Sequence, residues 1–149
     1  MSVIGVGIDI VDLAGFAEQL DLPGTRFEQL AFSASERAQI THSDPQRLRR
    51  LAVRYAAKEA FIKAWSASRF DQPVSLPTWD LSEVQVVNDS HGRPALRLSG
   101  AVALAVQQQF GEFWTAHVSL SHDGPTAAAV VVLDLADSTA LNSTTGVKK

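Results

Sequence analysis

Apolar and polar positions alternate from Val3 to Val11, with Ile4, Val6, Ile8 and Ile10 on one face and Val3, Gly5, Gly7 and Asp9 on the other. That period of two predicts a strand. The two glycines beside Asp9 leave its face open to a ligand or to another stretch of backbone. Asp12 is placed to cap a helix over Leu13 to Leu20, which Pro23-Gly24 ends. Phe27, Leu30 and Phe32 read as core. Ser33-Ala34-Ser35-Glu36 fits a capping box that starts a helix over Ala34 to Ile40. Asp44-Pro45 opens the longest helix, Gln46 to Ser66, with Leu48, Leu51, Ala52, Tyr55, Ala56, Ile62 and Trp65 as its apolar positions. Phe70 to Asp80, with two prolines, reads as an extended connection. Val84 to Asn88 and Pro94 to Leu98 pair through the turn Asp89-Ser90-His91-Gly92. Ser99 caps a helix over Gly100 to Phe110, which Gly111 ends. Phe113 to Ser121 and the buried run Ala127 to Leu135 form a last hairpin around Asp123-Gly124-Pro125.

This order of strand, helices, hairpin, helix and hairpin predicts an α+β fold, a mostly antiparallel sheet packed on one long helix. It is not a doubly wound nucleotide fold, and no glycine-rich phosphate loop is present: Gly5-Val6-Gly7 lies inside a strand. The 149 residues suffice for one domain, expected over 1–136, and the Ser/Thr-rich tail 137–149 has too little to bury to be ordered. There are no cysteines, which excludes a disulfide scaffold, a cysteine nucleophile and cysteine-ligated metal sites. No secretory signal and no apolar stretch of membrane-spanning length is visible, so a soluble, cytoplasmic protein is expected.

Charge adds a local feature. Thirteen Lys and Arg against sixteen Asp and Glu give a net charge of −3, yet seven of those cations lie between Arg47 and Arg69: Arg47, Arg49, Arg50, Arg54, Lys58, Lys63 and Arg69. The only acid in that stretch is Glu59. An acidic chain with one positive segment is suited to drawing an anion to one place. At helical spacing Tyr55, Glu59 and Lys63 align, and a Glu59–Lys63 ion pair is the plainest explanation of the carboxylate. Read with Asp9, however, Glu59 suggests a magnesium site, because magnesium commonly takes one or two carboxylates, waters and substrate phosphates. The surrounding cations would complete a pyrophosphate site. His122, at the end of Val118-Ser119-Leu120-Ser121, is a turn residue or a donor to phosphate. His42, His91 and His117 have no companions at ligand spacing, and Ser119 and Ser121 lack a nucleophile-elbow context.

Gly7-Ile8-Asp9-Ile10-Val11, then Phe32-Ser33 with Glu36, then Arg54-Tyr55-Ala56-Ala57-Lys58-Glu59-Ala60-Phe61-Ile62-Lys63-Ala64-Trp65, and finally Ser119-Leu120-Ser121-His122, resemble the holo-acyl-carrier-protein synthases. These are the short, single-domain class of 4′-phosphopantetheinyl transferases, and the resemblance covers about residues 3 to 135. It implies their fold and transfer of the 4′-phosphopantetheine arm of coenzyme A to a serine of apo acyl carrier protein, releasing adenosine 3′,5′-bisphosphate. It further implies Mg2+ held by Asp9 and Glu59, Lys63 on phosphate as the third catalytic residue, and Arg54, Lys58 and His122 near coenzyme A. A homotrimer with sites between subunits is implied as well. Two departures stand out. Gly15 occupies the place of a basic residue that grips the carrier protein in relatives, so Arg26, Arg47, Arg49 and Arg50 are the expected docking cations. Ser66-Ala67-Ser68-Arg69 stands where relatives carry a Gly-Thr-Gly turn.

Two other readings compete. The basic helix 47–69 could belong to a non-catalytic module that grips RNA or another polyanion, although phosphate contacts need no carboxylate and stacking aromatics are sparse there. A magnesium-dependent hydrolase or kinase acting on a small phosphate compound would turn over coenzyme A or a nucleotide without a protein acceptor.

Overall fold

A computed structural model of the chain describes residues 2–74 and 76–136; the tail 137–149 lies outside them. Three long strands, β1 (Ser2–Asp12), β4 (Trp114–Asp123) and β5 (Thr126–Leu135), form an antiparallel sheet in the order β1-β5-β4. The apolar run of β5 is central, hydrogen-bonded on both edges, which suits its scarcity of polar side chains. A second sheet holds only the hairpin of β2 (Val84–Asn88) and β3 (Pro94–Leu98). The described residues therefore carry two antiparallel sheets where the pattern of elements suggested one.

Helix α4 (Arg47–Ala67) lies against the inner face of the larger sheet and buries Leu51, Ala56, Ala60, Phe61, Ala64 and Trp65. The glycines of β1 decide how closely it lies. A Cβ at Gly5 would overlap the backbone oxygen of Ala64, and one at Gly7 the backbone oxygen of Ala60. Of the two uses for that open face, packing against backbone is the one realised. The spacing also matches: two strand residues rise about 6.6 Å and four helix residues about 6 Å, so strand and helix stay in step.

The strand is bulged between Val3 and Gly5, which alters the expected outer face. Ile4 packs against the core, whereas Val3 joins Val6, Ile8 and Ile10 at 61%, 56%, 56% and 65% exposure. Val130 lies beside Ile8, and Val132 beside Val6, on the same outer face.

Around this frame sit α1 (Leu13–Asp21), α2 (Phe27–Ala31), α3 (Ala34–Gln39) and α5 (Gly100–Phe110). Asp12 caps α1 by accepting from the Gly15 N–H at 2.8 Å, as predicted. Both bonds of the Ser33–Glu36 capping box are present on α3. Beyond the connection expected over Phe70 to Asp80 stands a 3-10 turn, Leu81–Glu83, in a stretch to which the sequence pattern assigned no element. Two local expectations fail. The stretch expected only to supply core side chains forms α2, and its Leu30 is 60% exposed because it faces away from the packed side. Ser99 stands at the N-cap of α5 without a side-chain cap bond; Glu83 performs that work from the 3-10 turn, accepting from the Val102 N–H at 2.9 Å. Such a cap crosses sixteen or more residues of sequence and leaves no local signature.

Candidate active site

Because Gly5 and Gly7 bring β1 against Ala64 and Ala60 of α4, the next inner residue, Asp9, comes beside the preceding turn of that helix. The side chains flanking this line are Tyr55, Glu59 and Lys63, which share one helical stripe. The Lys63 Nζ donates to Asp9 Oδ1 at 2.8 Å and to the Ile8 carbonyl at 3.1 Å. Lys63 is thus paired with Asp9 rather than with Glu59, the pairing that helical spacing alone would allow.

Asp9 and Glu59 line one open cleft of about 350 Å³ with Asp12, Gly15, Phe16 and Tyr55. Ile10, Val11 and Gln19 complete its wall. Partial burial, and secondarily the Asp9 carboxylate, push the Glu59 carboxyl up from its ordinary range; Lys63 and the neighbouring Tyr55 phenol act against that rise. The Tyr55 phenol is also pushed up, first by burial and then by the Glu59 and Asp9 charges. Two like charges held together this way favour a cation between them.

The donor set suits magnesium. Both groups are carboxylates, and the cleft has room for waters and phosphate oxygens, which complete such a shell. Among the described residues no group of three or more His, Cys, Asp or Glu is placed to hold a metal by protein ligands alone. Asp12, though in the same cleft, has one oxygen committed to capping α1. A smaller cavity of about 110 Å³ between Trp65, Arg69 and Trp79 carries no carboxylate.

The remaining sequence-derived residues separate. Lys58 requires a correction: expected near coenzyme A, it is fully buried. Its Nζ donates to Glu36 Oε2 at 2.8 Å, to the Leu81 carbonyl at 3.0 Å and to the Val84 carbonyl at 2.7 Å. An ammonium has three protons, so none is left for a ligand. Glu36 is in turn satisfied by Ser33 N–H and Val86 N–H, and the pair fastens α3, α4 and β2 together. Burial lowers the Lys58 pKa, while Glu36 opposes that shift.

Arg54 is turned toward the hairpin, donating to Asn88 Oδ1 at 3.1 Å and to the Arg50 carbonyl at 3.2 Å, outside the cleft wall. His122 is exposed on β4, in register with Ala127 and, beyond it, Val11. Two strand spacings, about 10 Å, separate it from β1. Of the expected docking cations, Arg47 is tied to Glu28 and Arg50 to Asp44, while Arg49 donates to Gln46. Arg26 is exposed at the start of α2. The segment from Arg47 to Arg69 is accordingly no continuous anion-binding surface: acids from elsewhere in the chain compensate most of it. That removes the physical basis of the polyanion-binding reading. Tyr55, read from the sequence only as an apolar position of the helix, also lines the cleft; its place four residues before Glu59 was the available signal.

Comparison with known proteins agrees with this geometry. The sequence profile of the 4′-phosphopantetheinyl transferase superfamily matches residues 5–131, a span that includes Asp9 and the whole of α4. The chain belongs to that superfamily. Within it, a holo-[acyl-carrier-protein] synthase of Mycobacterium bovis is 47% identical over 134 residues, covering 90% of this chain and 98% of the relative. A synthase of the same name from Mycobacterium sp. strain KMS is 46% identical over the same length. Among solved superfamily structures, the ACPS–CoA complex of Chronobacterium ammoniagenes superposes with a TM-score of 0.83 at 40% identity, covering 92% of this chain and all of that one. The acyl carrier protein synthase of Mycobacterium tuberculosis gives 0.71 at 41%, covering 91% of this chain and all of that one. The α+β architecture is therefore that of the superfamily's synthases. No helix among the described residues is long and apolar enough to cross a membrane.

Proposed function

We propose that this chain transfers the 4′-phosphopantetheine group of coenzyme A to a serine of apo acyl carrier protein, releasing adenosine 3′,5′-bisphosphate, in the cytoplasm. The observation that carries this reading is the meeting of Asp9 and Glu59 at one cleft, with Lys63 bonded to Asp9, in a chain 47% identical to a holo-[acyl-carrier-protein] synthase.

In this reading Asp9 and Glu59 would hold Mg2+, and the ion when bound would supply charge neutralisation to the pyrophosphate. Lys63 adds a positive charge beside Asp9, since its side chain is half-exposed while its ammonium touches that carboxylate. The serine oxygen bonds to the phosphorus that carries pantetheine, and the oxygen leaving with the adenylate phosphate takes the displaced electron pair. The serine proton must depart in the same step. Glu59, acting through a water in the cleft, is the side chain placed to take it.

Arg54 and His122 do not line the cleft of their own chain, and a homotrimer with sites between subunits gives them a role in a neighbour's site. The apolar outer strip of Val3, Val6, Ile8 and Ile10 supports such self-association, because monomers rarely leave that much apolar surface wet. Ile8→Glu is expected to give a monomer in light scattering, with transfer lost; an unchanged oligomer would contradict this use of the face. Docking of the acidic carrier falls to the exposed Arg26 and Arg49, with Arg47 and Arg50 more closely tied to their own chain.

The test is mass spectrometry of apo acyl carrier protein incubated with coenzyme A, Mg2+ and this protein. A gain of one phosphopantetheine group is expected. Consumption of coenzyme A without any acceptor would instead favour a hydrolase.

A further inference from the structure

The outer face of the larger sheet carries a buried carboxylate among apolar neighbours. Asp134, on the central strand β5, is only 8% exposed, although it lies on the same face as Val130 and Val132. It stands between Val3 of β1 and Thr115 of β4. From β4 the His117 Nε2 meets its Oδ2 at 2.7 Å, while the imidazole stays more than half exposed. His117 is in register with Val132, and Val132 with Val6, so the pair adjoins the apolar strip of Val3, Val6, Ile8 and Ile10. Sequence spacing left His117 without a companion; the neighbouring strand supplies one.

The outward positions around the pair are Thr115, Ser119 and Ser121 on β4, Ala128 on β5 and the strip on β1, and none of these titrates near neutrality. Charged groups lie at the margins. Glu112 and, from β3, Arg97 share a groove with Trp114 at the start of β4, and His122 and Asp123 end that strand. The chain's amino group stands one residue before β1 in sequence and ordinarily titrates near neutral pH, as a histidine does.

We propose that the His117–Asp134 pair makes self-association through this face proton-dependent: each copy takes up a proton on His117 as the face is covered, and assembly weakens as pH rises. Covering the face removes water from the pair. A carboxylate beside a neutral imidazole is then a buried net charge, whereas beside an imidazolium it is half of an ion pair. The uncompensated buried charge is the costlier of the two. Histidine gains and loses its proton near neutral pH, so the covered form is favoured on the acid side and loses that advantage as the imidazole deprotonates. This inference rests on the proposed use of the outer face between copies and adds what regulates that contact.

Sedimentation velocity over a concentration series, at about pH 6 and about pH 8.5, reads the midpoint concentration of assembly for wild type, His117→Gln, Asp134→Asn and Ile8→Glu. Wild type is expected to need about tenfold more protein at the higher pH. His117→Gln, which hydrogen-bonds but never charges, should need that larger amount at both pH values. Asp134→Asn leaves no carboxylate to bury, so at the higher pH it should assemble at a lower concentration than wild type. A wild-type midpoint that moves less than about twofold would overturn the inference. So would either pair variant that keeps the wild-type dependence, since the proton would then belong to another group, such as the chain's amino group. If Ile8→Glu is monomeric while one of those results holds, the use of the face stands and only His117 loses its part. Wild type that is monomeric throughout, or Ile8→Glu that still assembles, would overturn both.

Discussion

Replacing Asp9 with alanine is expected to stop phosphopantetheine transfer, lowering the rate about 10³-fold or more while the protein stays folded. A metal clamp on a breaking phosphate bond is worth several kcal/mol, and about 4 kcal/mol corresponds to that factor. The loss has a second source, because Lys63 would lose the charged one of its two anchors and keep only the Ile8 carbonyl. Glu59→Gln should lower transfer comparably, yet act differently on stability. The folded chain holds the Glu59 proton more tightly than the unfolded one, so ionisation of this group opposes folding. Its favourable contribution is present at acid pH and lost as pH rises through the folded-state value. The metal-free Glu59→Gln protein should therefore melt at or above the wild-type temperature at neutral pH. Initial rates and thermal melts check both statements; wild-type rates in either variant would remove that carboxylate from the site.

Gly7→Ala is expected to prevent folding. The added methyl would overlap the backbone oxygen of Ala60 in the middle of α4, and a helix backbone cannot turn aside as a side chain can. Separating strand from helix would also strip the burial of Ala56, Ala60 and Ala64. A cost above about 4 kcal/mol would consume much of the ~5–15 kcal/mol that holds a domain of this size together. Gly15→Ala is the matched control. There the new methyl meets nothing closer than Asp12 Oδ2 at 3.4 Å, and α1 gains about 1 kcal/mol of helix propensity. Circular dichroism melts compare them: no cooperative transition for the first, a melt at or above wild type for the second. A Gly7→Ala melt within a few degrees of wild type would mean the contact is less rigid than described.

What could be read from the chain and what could not divide on physical grounds. The hairpin turn at Asp89-Ser90-His91-Gly92 was legible because its chemistry is local: Asp89 accepts from the His91 and Arg93 N–H groups, and Gly92 takes φ of 79°. The boundaries of α5 were legible for a similar reason, with Gly111 at φ 66° closing the helix. The capping role of Glu83 was not, since it depends on where a distant turn packs. Nor was Lys58: a motif gives a residue's place in sequence, whereas the environment that spends its three protons comes from α3, the 3-10 turn and β2. The glycines of β1 are an intermediate case. Their presence announced a close approach, and only the tertiary structure names Ala60 and Ala64 as what approaches.

The same glycines explain why Asp9 and Glu59 meet. Strand and helix stay in step over two contacts, Gly5 with Ala64 and Gly7 with Ala60, and the step that follows brings the two carboxylates to one cleft. Their sharing of one ion is tested most directly by anomalous diffraction at the manganese edge from crystals grown with Mn2+ and coenzyme A. The account predicts one peak in the cleft with an oxygen of Asp9 and an oxygen of Glu59 both about 2 Å away. A peak held elsewhere, or by only one of those side chains, would contradict it.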